Sequence, residues 1–119
     1  MILKFGDGSQ LNLKPAQFEN FSFLNDVASL SQEECLLLVM DLDPPLVRDV
    51  FAFHDMTLSK ETRHNMFYQK VHENTGYARD FVSLCIYFGY NGSDKFLSTL
   101  IESMLQTQPN NVIQQAFGL

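Results

Sequence analysis

The chain has 119 residues, 45% of them hydrophobic and 13% aromatic, with a formal net charge of −6. That length suits one domain that buries about two-thirds of the surface exposed by its unfolded chain, so a real core forms without metals or disulfides. The acidic balance and the scatter of the 8 basic residues exclude binding to phosphate backbones by charge alone, so no nucleic-acid partner is expected. The two cysteines, Cys35 and Cys85, each lie in an apolar run and read as reduced, buried thiols. The longest apolar run, Cys35 to Met40, is far too short to span a membrane. With no leader pattern at its start, the chain reads as cytoplasmic or nuclear, with no membrane partner.

Ile2 to Phe5 and Gln10 to Leu13 flank Gly6-Asp7-Gly8, and Asp-Gly between alternating segments predicts a β-hairpin. Pro15 stops the second strand. Phe21, Leu24, Val27, Ala28 and Leu30 have helical spacing and predict a helix within Phe18 to Leu30, capped by Asn20 or Ser22. Ser31 to Glu34 is a polar break, and Cys35 to Leu42 reads as a short buried strand. Asp43, Pro44 and Pro45 then open a helix whose apolar face is Leu46, Val47, Val50, Phe51 and Phe53.

Leu58 to Asn74 is rich in charge and holds only Met66, Phe67 and Val71 as anchors, so it reads as a polar connection with one or two helical turns. Tyr77 to Tyr90 repeats Phe81, Leu84, Cys85 and Phe88 at helical spacing and ends at Gly89 or Gly92. Ser93-Asp94 caps a helix carrying Phe96, Leu97, Leu100, Ile101, Met104 and Leu105. After a loop to Pro109, a last amphipathic turn holds Val112, Ile113, Ala116 and Phe117. Early strands and late helices without strict alternation predict an α+β fold, with a small sheet packed against five or six helices.

Chemistry-bearing motifs are few. Glu61 and His64 stand three apart, but a carboxylate-bridged metal site needs a second such pair. The two cysteines are not paired at zinc spacing. No nucleophile elbow or Gly-rich phosphate loop occurs. Asp41 and Asp43 fit a strand end and a helix cap. Asn91-Gly92-Ser93 matches a glycosylation sequon but reads as a turn before a helix cap. No enzyme activity, catalytic residue, metal or cofactor is expected.

The order and spacing of four segments resemble the Skp/elongin C branch of the BTB/POZ fold, the small adaptors of cullin–RING ubiquitin ligases. The hairpin with Asp7-Gly8 is similar to the family's opening S-D-G-E-x-F. Leu42 to Val50 resembles the passage from the core strand into the next helix. Phe81 to Leu97 is similar to L-x-x-L-x-x-A-A-N-Y-L-D-I-K-x-L-L. Met104-Leu105, Pro109 to Ile113 and Ala116 to Leu119 resemble M-I-x-G-K-T-P-E-E-I-R-x-T-F-N-I.

The resemblance covers most of the chain and implies a single BTB/POZ-like domain over residues 1–119, with 106–119 as a C-terminal partner-binding extension. It implies an F-box-like helical partner seated on Phe96, Leu97, Leu100, Ile101, Met104, Val112, Ile113 and Phe117, some of which must face the chain's own core. It also implies a cullin contact at Tyr90 and Asn91. Of the family's Asn-Tyr-Leu-Asp string only Tyr90 is kept, and the Trp-Asp pair is missing, with Phe67-Tyr68 in its place. The chain stops at Leu119, before the helix with which longer members clasp their partner, which implies a cut chain or a reduced relative. The expected state is a monomer within a hetero-complex. The alternatives are a self-associating BTB module using Phe21 and Phe23, and a decoy that sequesters F-box or cullin proteins.

Overall fold

The computed structural model describes residues 1–30, 36–93 and 95–119. Cys35, the polar break at 31–34 and Asp94, expected with Ser93 to cap a helix, lie outside the described residues; the N-cap of that helix is Lys95. Strands β1 (Ile2–Phe5) and β2 (Gln10–Asn12) form the expected antiparallel hairpin, with Leu3 opposite Leu11. Its turn is closed by Gly8 N–H donating to Phe5 O and Phe5 N–H to Ser9 O. The Asp7 carboxylate accepts from the Ser9 hydroxyl and from Ser9 N–H, and those bonds hold its pKa below the usual value. β3 (Leu36–Val39) lies on the other side of β1, parallel to it, with Ile2 opposite Leu36 and Phe5 opposite Val39. The sheet order is therefore β2-β1-β3, with Leu3 and Phe5 of the central strand buried.

A parallel neighbour needs a crossover, and two short helices supply it. Pro15 ends the strand by opening α1 (Pro15–Phe18), where its fixed φ suits the first helical turn. The chain then breaks at Phe21 before α2 (Ser22–Ser29). The helix expected within Phe18 to Leu30 is α2, with Phe21 rather than Asn20 or Ser22 at its N-cap, and α1 is an additional short helix before it. Phe21 is extended and bridges Tyr90, and Ser22 N–H donates to Gly89 O at 2.8 Å. A distant segment pins the break, so local periodicity cannot show it.

α3 (Pro44–Phe53) follows Asp43 as expected and buries Val47, Val50, Phe51 and Phe53, although the Asp43 side chain makes no capping bond. The largest correction is α4 (Lys60–Glu73), a helix of 14 residues where a polar connection was expected. Ser59 caps it by accepting from Thr62 N–H at 3.1 Å. Its buried stripe is Arg63, Phe67 and Val71, one residue per turn. A stripe so narrow, with an arginine as one of its three members, is hidden from a count of apolar residues. α5 (Tyr77–Tyr87), α6 (Phe96–Thr107) and α7 (Asn110–Phe117) follow. The described residues hold seven helices rather than five or six. None is long and apolar enough to cross a membrane.

Phenylalanine dominates the core: Phe5, Phe21, Phe51, Phe67, Phe81, Phe88 and Phe96 are fully buried. Their rings meet at tilted or edge angles, as in Phe21–Phe51 (5.1 Å), Phe51–Phe88 (5.0 Å) and Phe67–Phe81 (5.0 Å). Gly89 ends α5 at φ +76°, and a Cβ there would lie 2.7 Å from Phe23 Cβ and 2.9 Å from Phe23 N. Gly8 has a similar φ, +87°, but open space around it. Gly89→Ala is therefore expected to cost about 3 kcal/mol, conformational penalty plus overpacking, against about 1 kcal/mol for Gly8→Ala. Urea denaturation of the two variants measures the difference.

Candidate protein-docking surface

Helix α6 is apolar over more of its circumference than the core uses. Phe96, Leu100 and Met104 recur every four residues and are buried. The adjacent stripe, Leu97, Ile101 and Leu105, is also apolar, but Leu97 and Ile101 are half-buried and Leu105 is 58% exposed. On α7, Ala116 is buried while Val112, Ile113 and Phe117 are half-buried. Leu97, Val112 and Phe117 lean partly on the core; among the described residues Ile101, Leu105 and Ile113 are outside that packing.

The inner stripe is held in place by the end of α3 and by α4. The Phe96 ring lies 5.0 Å from the His54 ring and 5.4 Å from that of His64, and the Arg63 guanidinium sits 4.6 Å from its centroid. The Tyr90 hydroxyl accepts from Leu97 N–H at 3.3 Å, at the start of the helix. α7 packs on α4 and α5, and Gln115 O accepts from Gly76 N–H at 2.7 Å. Residues 106–119, read as an extension, are thus the end of α6 and a helix packed on the body. The eight expected contact residues divide: Phe96, Leu100 and Met104 face the chain's own core, while Leu97, Ile101, Val112, Ile113 and Phe117 keep accessible surface.

Tyr90 and Asn91 sit in the α5–α6 connection. The Tyr90 ring packs against His54 (5.0 Å) and Phe21 (5.6 Å), and it is half-buried. It braces α2, α3 and α6. Asn91 is exposed, and its N–H donates to Asn20 O. The nearby apolar surface comes from residues the sequence did not single out. Ile86 and Tyr87 at the end of α5 are each more than half exposed, as are Leu38 and Met40 on and beside β3. Residues Leu38 to Leu42 and Tyr87 line a hollow of about 360 Å³. An unbroken apolar run reads as buried on both faces. Here burial alternates instead, Val39 inward and Leu38 and Met40 outward. Of the pair considered for self-association, Phe21 is wholly buried among Phe51, His54 and Tyr90, and only Phe23 is exposed.

A separate cleft of about 250 Å³ lies between α3, α4 and α5, lined by Asp43, Asp49, Lys70, Tyr77 and Asp80 among others. Tyr77 OH donates to Asp49 Oδ2 at 2.9 Å; burial and that carboxylate push its pKa up, so the phenol stays protonated. No group of three or more His, Cys, Asp or Glu side chains among the described residues is arranged to hold a metal.

His64 on α4 has its pKa lowered, first by desolvation and then by Lys60 and Arg63. Folding therefore favours its neutral form, and the unfolded chain binds more protons. Its contribution to stability is complete above the unfolded value of 6.5 and falls as pH drops below it. His64→Gln is expected to flatten the stability loss between neutral and mildly acidic pH, read by denaturant melts at several pH values. The division of α6 is checked in the same way: Phe96→Ala and Met104→Ala should each lower stability by about 3 kcal/mol. Ile101→Asp and Leu105→Asp should each change it by less than about 1 kcal/mol.

No family model, curated protein or solved structure matches the chain.

Proposed function

We propose that this protein is an adaptor of the Skp/elongin C type, with a BTB/POZ-like fold, that seats the amphipathic helices of an F-box-like partner on the outer faces of α6 and α7. One observation carries this reading: α6 is apolar on two adjacent stripes and the core takes only one. Leaving an aliphatic side chain exposed forgoes about 1.5–3 kcal/mol, and a partner helix recovers that on docking. The order of elements, a hairpin, a helical crossover, a parallel strand and then helices, supports the fold assignment. The exposed Ile86 and Tyr87, beside Tyr90 and Asn91 in the chain, and Leu38 and Met40, which line a hollow with Tyr87, support a second docking face for a cullin-like scaffold.

The test is capture of an F-box-like helical peptide. Ile113→Asp and Phe117→Asp should each weaken binding at least about thirtyfold, as for hot-spot residues, with unchanged circular-dichroism spectra. Undiminished binding by both variants removes the α6–α7 surface. For the second face, Tyr87→Ala should lower recovery of a cullin N-terminal domain in a pull-down, and recovery independent of Tyr87, Tyr90 and Asn91 removes that arm.

Self-association is the competing reading, favoured by the same bare strand. β3 stands at one edge of the sheet and carries Leu38 without the charged or Pro residues that commonly guard edges. Light scattering separates the two. A monomer supports the adaptor, and a dimer lost in Leu38→Lys supports self-association.

A further inference from the structure

Asn91-Gly92 is the one Asn-Gly pair in the chain, and it lies in the exposed turn between α5 and α6. Gly92 has no side chain to obstruct approach to its backbone nitrogen. Asn91 Oδ1 accepts two hydrogen bonds, from Ser93 N–H at 2.9 Å and from the Ser93 hydroxyl at 2.7 Å. The same hydroxyl also lies 3.0 Å from Asn20 Oδ1, so its one proton is shared between the two amide oxygens. Two donors on one amide oxygen polarise its carbonyl and stabilise the negative charge that develops there when Cγ is attacked.

We propose that Asn91 is a site of self-modification, at which the folded turn promotes cyclisation and deamidation. The Gly92 nitrogen, its proton lost to hydroxide, bonds to Asn91 Cγ while the carbonyl electron pair moves onto Oδ1. The pair returns as the Cγ–Nδ2 bond breaks, and Nδ2 takes a proton from water and leaves as ammonia. Water then opens the cyclic imide at either carbonyl, giving aspartate or isoaspartate at position 91. No oxidant or reductant takes part.

Either product adds a negative charge beside Tyr90, and isoaspartate also lengthens the main chain where Asn91 N–H donates to Asn20 O. The turn that joins α5 to α6 thus carries a slow, irreversible chemical change. This inference stands whether or not the adaptor reading holds.

The test is incubation of the full chain in mildly alkaline buffer, with peptide mapping by mass spectrometry and isoaspartyl methyltransferase labelling. A short synthetic peptide spanning Tyr87 to Phe96 is run in parallel. Isoaspartate is expected at Asn91, at a rate above that of the peptide. Ser93→Ala should slow the reaction about fivefold in the folded protein, less than for an oxyanion donor in a dry site because this turn is wet. The same change should leave the peptide's rate unaltered, and Ser93→Thr, which keeps the hydroxyl, should restore the rate in the protein. A folded-state rate at or below that of the peptide, or equal rates for Ser93 and Ser93→Ala proteins, overturns the proposal.

Discussion

The His54 imidazole sits at the end of α3, where the entry to α2, the body of α5, the α5–α6 turn and the start of α6 converge. Phe21, Phe81, Tyr90 and Phe96 surround it, with ring centroids between 4.9 and 5.8 Å away. His54 Nδ1 donates to Val50 O at 2.8 Å, which satisfies that nitrogen within its own helix and fixes the ring's orientation. Every one of these neighbours comes from a different element. Removing the ring leaves a void that no single element can close, because interiors are close-packed and relax only partly.

That knot decides which face of α6 is spent on stability. Phe96 is committed to His54, His64 and Arg63, and Leu100 and Met104 follow it inward at the same helical phase. Ile101 and Leu105, one residue on, are turned away from the core by the same geometry, and Leu97 is only half taken up by it. The surplus apolar stripe is thus a consequence of how the helix is anchored. The knot also explains Tyr90, whose ring and hydroxyl are taken up in bracing the fold. Tyr87 and Ile86, at the same end, are left exposed by the fold.

Charge acts at a different level. The net charge of −6 and the acidic lining of the α3–α5 cleft set a surface that repels polyanions. Arg63 is the exception to the rule that cations stay on the surface: it is buried, with its guanidinium over Phe96. A cation packed on a ring face contributes both attraction and contact area. Its place in the buried stripe of α4 is also the reason that helix was hidden.

By itself the sequence determined the hairpin, through Asp7-Gly8, and the α+β class. It also determined the helical character of α3, α5, α6 and α7, because these depend on spacing within one segment. Such features need only the backbone's local preferences and a period of two or 3.6. Tertiary structure alone decided the break at Phe21, which a hydrogen bond to Gly89 enforces, and the length of α4, whose inward face is earned by Arg63 meeting Phe96. It also decided which stripe of α6 is core, and that β3 shows Leu38 and Met40 to solvent. Each of these depends on a partner far away in the chain, and hydrophobicity along one segment does not record where that partner will stand.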